Sequence, residues 1–349
     1  MSMEDYRKAY KAGKREYQSR LLRGQKPTLE VLDNIPTTTE TLKLYGSASR
    51  KNTKPQAQIG LGCIYDVMNR MILESDCNKV KFDEMRLAEK QMERIPETIG
   101  NIPYIIIMDR GYPSTPAFIH MMDKDLKFIV RLKSSDYKKE QSSLTENDQL
   151  VKIKLDKSRI RHYEGTPDGE RMKELGEISL RMVKILLENG NLEVLATNLS
   201  QTEFHTEEIK ELYHMRWGIE TAYETLKNRL QLENFTGTKP ILLLQDIYST
   251  IYLSNLVEDI ILDAERELDQ KETNRKHKMM INQTVSIGIL KNDLIYILLE
   301  TDDQKKNILF QQIYEDISKN LVPIRPDRHY TRTKGRLAGK YSNTHKRAY

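Results

Sequence analysis

Apolar and polar positions change their period several times along the chain, and each change marks an element. Residues 57–65, AQIGLGCIY, put Ala57, Ile59, Leu61, Cys63 and Tyr65 on one face with a period of two, the spacing of a strand. Residues 28–33, TLEVLD, predict a short strand before it, and residues 70–75 a partner strand after it. Over 82–95 the period lengthens. Phe82, Met85, Ala88, Met92 and Ile95 recur at helical spacing, with Pro96 as the stop. Residues 104–109, YIIIMD, form an apolar strand that closes on Asp109. A helix over 114–123 and a strand over 127–133 follow, then a highly charged stretch, 134–175, in which VKIKL (151–155) alternates weakly. Strands over 177–187 and 192–198 flank Asn189-Gly190, a hairpin signal. A long helix opens at Thr206 as N-cap, with Glu207 and Glu208 in its first turn, and runs to about Arg229. Beyond Gly237 the pattern is mostly helical until Pro323. The order predicts an α/β core with a sheet of mixed direction.

Composition narrows the class. The 349 residues suffice for one large domain with insertions or for two smaller ones. With 31% charged and 38% hydrophobic residues, the chain reads as a very polar globular protein. Its two cysteines, Cys63 and Cys77, form no CxxC, which excludes a disulfide framework and a Cys-rich zinc site and fits a reducing cytoplasm. The first twenty residues are charged throughout and lack the apolar core of a signal peptide. The most apolar stretch, 240–262, is interrupted by Gln245, Asp246, Glu258 and Asp259, so it predicts a buried helix and no membrane span. Net charge is +5, unevenly placed: from Arg325 onward eight Lys/Arg face one acid, Asp327. Such a tail suits a polyanion such as nucleic acid, and equally suits a solvated end with no partner.

Two segments carry candidate chemistry. In IIIMDRGYPS (105–114) an apolar strand runs into Asp109, which is either a strand-end turn residue or a metal-binding carboxylate at the lip of a sheet. In YHMRWGIETAYETLK (213–227), helical spacing puts Glu220, Lys227 and Arg216 about 20°, 40° and 60° round from Tyr213, all in one sense. Met215, Ile219, Ala222 and Leu226 form the apolar face beside this stripe. One carboxylate flanked by two cations and a phenol suits a metal site that also grips phosphates. An ordinary amphipathic surface helix has the same spacing. Trp217, the sole tryptophan, reads as a partly buried core aromatic.

Tyr213-x2-Arg216-x3-Glu220-x6-Lys227 resembles the signature of bacterial insertion-sequence transposases of the DDE type, in the IS4-like branch that bears this Tyr-Arg-Glu-Lys pattern. The longer phrase ELYHMRWGIETAYETLKNRLQLENFTG is similar to that family nearly throughout. So are VLATNL (194–199), IIIMDRGYPS and PQAQIGLGCIYDVMN, and the likeness runs over about 17–237. The resemblance implies an RNase H-like core, a mixed sheet flanked by helices, with a β-rich insertion before the last catalytic helix. It implies Asp109 and Glu220 as catalytic carboxylates and metal ligands, two Mg²⁺ ions, and Tyr213, Arg216 and Lys227 as DNA-binding residues on the transposon end. Asp and Glu are the hard oxygen ligands Mg²⁺ requires. The implied partners are terminal inverted repeats and target DNA, with a homodimer formed when two ends are synapsed.

The chain departs from the family's pattern at the first acid. RLLRGQKPTLEV (20–31) matches at Arg20-Leu21-Leu22 and at Thr28-Leu29-Glu30-Val31, but Gln25 stands where an Asp is expected. Asp33 lies about 20 Å or more along an extended strand from that spot. Asp66 ends the second strand and leaves no room for a first. The chain ahead of the core is short, as in an N-terminally truncated copy. Two functions therefore stand side by side. One is an active transposase that cuts and joins DNA. The other, which Gln25 favours, is a decayed or repurposed copy that keeps only end binding. The expected organisation is an N-terminal remnant with the first half of the core (1–124), the β-rich insertion (125–195), the second half of the core (196–265), and C-terminal helices with the basic tail (266–349).

Overall fold

A computed structural model of the chain describes residues 23–33, 35–47, 54–186, 190–270 and 275–325, with 23–29 as backbone alone. Its centre is an eight-stranded mixed sheet. In chain order the strands are β1 (Arg23–Leu32), β2 (Ile59–Asp66), β3 (Met71–Lys79), β4 (Tyr104–Met108), β5 (Lys127–Leu132), β6 (Asp148–Lys154), β7 (Glu177–Leu186) and β8 (Leu192–Thr197). In space they run β3-β2-β1-β4-β5-β8-β7-β6. β1 pairs antiparallel with β2 and parallel with β4, and β4 pairs parallel with β5. The remaining neighbours are antiparallel. The strand over 127–132 is thus a direct neighbour of β4, and the strands of 148–197 continue the same sheet.

Strands covered on both faces read as continuous apolar runs, and this explains IGLGCIYD and YIIIM. Every residue of β2 is buried. Helix α2 (Glu84–Ile99) crosses it closely: a methyl added to Gly62 would sit 2.3 Å from Leu87 Cδ2, and Gln91 Nε2 donates to the Gly62 carbonyl at 2.9 Å. Helix α3 (Thr115–Asp123) lies on the same side. The alternation along β4 sorts the two faces. Ile106 and Met108 pack with α2 and α3, whereas Ile105 and Ile107 pack with Ile209, Leu212 and Tyr213. Those three sit on helix α7 (Thr206–His214), which follows helix α1 (Thr39–Tyr45) and the short helices α4 (Lys138–Ser142), α5 (Lys157–Ile160) and α6 (Pro167–Leu175). Helices α8 (Trp217–Glu224), α9 (Pro240–Gln270), α10 (Gln283–Leu299) and α11 (Asp303–Lys319) complete the layer over β2. A small ribbon of β9 (Met279–Ile281) and β10 (Leu321–Pro323) clips the ends of the last two helices. No helix among the described residues is long and apolar enough to cross a membrane.

Several elements differ from the sequence reading. β1 starts at Arg23, five residues ahead of Thr28, because its polar first half is held by backbone pairing to two neighbours. Pro96 lies inside α2, which runs on to Ile99. Its missing amide falls on the exposed side, while Ile95 and Ile99 stay buried and hold the last turn to the sheet. Strands β7 and β8 pair as a hairpin with Leu186 opposite Leu192; Asn189 of the expected turn lies outside the described residues, and Gly190 has φ +79°. Residues 326–349 of the basic tail also lie outside them.

Candidate active site

A period of two decides where Asp109 points. Ile105, Ile107 and residue 109 share the β4 face that carries α7, so the acid leaves the strand toward that helix. Its Oδ1 accepts from the Arg110 amide at 2.8 Å, and its carbonyl accepts from the Tyr112 amide at 3.2 Å. The turn is then closed by Ser114, whose hydroxyl caps α3 through the Ala117 amide. Asp109 therefore serves the strand-end turn and still leaves its side chain about a third exposed.

Helix α7 is anchored differently from the sequence reading. The N-cap is His205, and Thr206 is the first helical residue. Glu208 reaches back to the His205 amide at 2.8 Å, and the Thr206 hydroxyl donates to Asp148 Oδ2 at 2.7 Å, so it is engaged elsewhere. Nor is 206–229 one helix. It breaks at Met215–Arg216, where the amides of Arg216 and Gly218 bond three residues back, to the carbonyls of Tyr213 and Met215. The tighter turn lets Gly218 approach Tyr65: a methyl there would lie 3.3 Å from the Tyr65 ring. After α8 the chain opens into a π-turn over Thr225–Arg229, with the Leu230 amide bonding the Thr225 carbonyl at 2.9 Å.

Four of the five candidate residues meet around the break. Arg216 is 3% exposed. Its Nη1 lies 2.7 Å from Glu220 Oε1 and 3.6 Å from Asp109 Oδ2. Tyr213 donates from its hydroxyl to Asp109 Oδ1 at 3.3 Å. The guanidinium sits 4.6 Å over the Trp217 ring and 5.6 Å from the Tyr213 ring. Burial works to lower the Arg216 pKa, but Tyr213, Glu220 and Asp109 outweigh it and the net shift is upward. Burial chiefly raises the Tyr213 phenol, so it stays a hydrogen-bond donor at neutral pH. Arg216 Nε is buried with no hydrogen-bond partner among the described residues, a donor suited to an oxygen of a bound anion.

The fifth residue, Lys227, goes elsewhere. From the π-turn its ammonium donates to the Val31 carbonyl at 2.9 Å, bonds Glu30, and lies 3.5 Å from Glu233. It ties this segment to the end of β1. Residue 25 lies in β1 in register with Ile106, three positions before Asp109. Asp33 accepts through Oδ1 from Gln58, and its carbonyl accepts from Gln56 Nε2 at 2.8 Å. Asp66, fully buried, caps the β2–β3 turn by accepting from the Met68 and Asn69 amides and from Asn69 Nδ2.

Two carboxylates that reach one guanidinium nitrogen can also share a hard divalent cation, with waters or phosphate oxygens filling its shell. Among the described residues no group of three or more His, Cys, Asp or Glu is arranged to hold a metal. On the far side of Tyr213 and Arg216 lies a cavity of about 460 Å³ whose polar walls mix Arg131, Lys210 and His214 with Glu193 and Glu211; Arg131 is paired with Glu193 at 2.7 Å, and neither Asp109 nor Glu220 lines the cavity. The sequence reading singled out none of these three basic residues: Arg131, which interrupts the apolar run of β5, pairs with Glu193, and Lys210 and His214 carry no signal beyond ordinary helix polarity. Trp217 is 51% exposed here, against the expectation of a core position, because the break turns its ring outward over Arg216.

Residues 25–256, well over half of the chain, match the family described as Transposase DDE domain. The transposase InsG for insertion sequence element IS4 of Escherichia coli K12 is 22% identical over 57% of this chain and 43% of its own length. A transposase for insertion sequence element IS421 of Escherichia coli is 32% identical over 22% of this chain and 20% of its own. The chain thus spans less than half the length of these relatives. Among solved structures, the piggyBac transposase in a synaptic complex with hairpin DNA aligns with a TM-score of 0.44 and 10% identity, over 87% of this chain and 59% of that one.

Proposed function

This chain belongs to the Transposase DDE domain family, and from that premise we propose that it cuts and joins DNA at the ends of its own insertion element. The family generally uses divalent metal ions. We take the ions here to be two Mg²⁺, and the segment β3-β2-β1-β4-β5 to be an RNase H-like core. On this reading the β-rich insertion, expected over 125–195, begins after β5, whose residues 127–132 belong to the core, and it extends the sheet; the boundary at 265 is kept as a proposal. The observation that carries the proposal is the convergence of Asp109 and Glu220 on Arg216 Nη1.

When bound, the metal would supply activation of water or of a DNA 3′-hydroxyl and stabilisation of the leaving oxygen. Asp109 and Glu220 would hold it with their carboxylates. Arg216 would offer its guanidinium N–H groups to a phosphate oxygen, with Trp217 and the two acids setting the plane in which they lie. Tyr213 keeps Asp109 oriented and stays protonated beside the phosphate. Lys227 acts as a point charge at the edge of β1. The proposed partners are terminal inverted repeats and target DNA, with two copies of the chain on a synapsed pair of ends.

The test is cleavage by purified protein of a duplex carrying the inverted repeats that flank this reading frame, with and without Mg²⁺. Mg²⁺-dependent nicking lost in Asp109→Asn is the expected result. End binding without any cleavage would instead identify a copy that has lost turnover, and absence of both would overturn the proposal.

A further inference from the structure

The π-turn Thr225–Arg229 separates the segment bearing Glu220 from the Lys227 contacts, and a chain of polar groups from the C-terminal helices reaches it. Gln283, the first residue of α10, is the hub. Its Oε1 accepts from Arg229 Nη1 and lies 3.4 Å from the Thr225 hydroxyl. Its Nε2 donates to Glu258 Oε1 on α9. Glu258 is 7% exposed, and Arg70 Nε lies 3.1 Å from its other oxygen. Arg70 in turn bonds Glu265 at 2.9 Å and sits at φ +54°, a left-handed conformation unusual for a residue with a long side chain. These groups line a cavity of about 460 Å³ that opens against Gly218, Thr221 and Ala222 on α8.

The wider turn has a geometric effect. In an unbroken α-helix Lys227 would lie about 20° from Glu220, on one stripe. The π-turn rotates it off that stripe and delivers its ammonium to Glu30 and the Val31 carbonyl. The turn ends the helix: Gln231 follows at φ +54° and the Leu232 amide bonds the Leu226 carbonyl at 2.8 Å, so the backbone closes as helix C-termini commonly do. Here the groups at both ends of the turn, Thr225 and Arg229, are gathered by one amide oxygen.

We propose that Gln283 is a positioning residue: it holds the π-turn and so sets where Lys227 leaves the Glu220 helix. The proposal rests on the transposase reading for the roles of Glu220 and Lys227, but not for the turn itself. Gln283→Glu keeps the acceptor for Arg229 and sets two carboxylates against each other. Adding Glu258→Gln restores the hydrogen bond with donor and acceptor exchanged, and Arg70 keeps Glu265. Hydrogen exchange of the 225–232 amides should quicken about tenfold in Gln283→Glu and Gln283→Asn, and return to wild-type rates in the double variant. Single-turnover end cleavage should fall by roughly ten- to a hundredfold in the single variants and recover in the double, which a general loss of stability would not do. Unchanged exchange in the single variants, or no recovery in the double, overturns the proposal. So does quickened exchange with unaltered cleavage. If wild-type protein cleaves no DNA, the transposase reading falls alone, and the exchange data still decide whether Gln283 holds the turn.

Discussion

Helix α7 is tied to the sheet at both ends by an acid and an arginine, and the two ties are built to opposite standards. At its N-terminus Arg181, 3% exposed, donates to both oxygens of Asp148 at 2.7 and 2.6 Å and to the carbonyls of Leu199 and Ser200. Asp148 also receives Gln201 and Thr206. At its C-terminal side Arg216 is just as buried, yet one nitrogen serves two acids, the Asp109 contact is 3.6 Å, and Nε lacks a partner among the described residues. The first tie is saturated and holds the fold. The second leaves the Arg216 Nε donor unspent among the described residues, so the two arginines, equally buried, differ in how fully their hydrogen bonds are satisfied.

Breaking each tie should therefore damage different properties. The largest expected effect is on chemistry. Asp109→Asn or Glu220→Gln should lower Mg²⁺-dependent cleavage by at least about a hundredfold, since losing even an outer-sphere partner of a metal ligand costs 10–100-fold. The melting temperature should hardly move; a drop as large as that of an Asp148 variant would erase the comparison. Arg181→Leu should cost about 3–5 kcal/mol in urea unfolding, the toll of an uncompensated buried charge. Arg216→Leu should cost only about 1 kcal/mol, because the acids it abandons are solvated. Burial raises the Asp148 pKa, but hydrogen bonds from Arg181, Gln201 and Thr206 outweigh it and hold it down at about 2. A depressed carboxylate stabilises the fold above its unfolded pKa and loses that contribution as pH falls through the folded value. Asp148 should thus supply roughly 2 kcal/mol at neutral pH that disappears between about pH 4 and pH 2, and Asp148→Asn should flatten the acid limb of the stability curve.

Smaller effects sharpen the open side of the comparison. Gln25→Asp should tighten divalent-ion binding by roughly tenfold, read by calorimetry, because affinity rises with the charge count of the ligands. No gain would place the first carboxylate elsewhere than residue 25. Binding to an end duplex should weaken steeply with salt, and Lys227→Ala should reduce the slope of log affinity against log salt by about one. An unchanged slope would mean that Lys227 serves β1 alone.

The parts of this architecture that were legible in the sequence are those fixed by local periodicity. β2 follows from its period of two, β4 from its apolar run and the β7–β8 hairpin from its flanking strands, whereas the meeting of Asp109 with the Tyr213–Glu220 segment was expected from the family resemblance alone. What could not be read depends on distant partners. The break at Met215–Arg216 needs Tyr65 against Gly218, and the π-turn needs Gln283, so a continuous 3.6-residue period was the natural but mistaken reading. The exposure of Trp217 and the departure of Lys227 from the stripe both descend from those interruptions. Likewise, period alone cannot say that β8 docks beside β5 and merges the 148–197 strands into the main sheet.

The strand order has a temporal consequence. β1 is near the front of the chain but sits between β2 and β4, so a growing polypeptide cannot close that part of the sheet until residue 108 has been made. Glu220 follows more than a hundred residues after Asp109. Long-range pairings of this kind form late and slowly. A ribosome-bound fragment ending short of Glu220 would hold Asp109 without the second acid that meets it at Arg216.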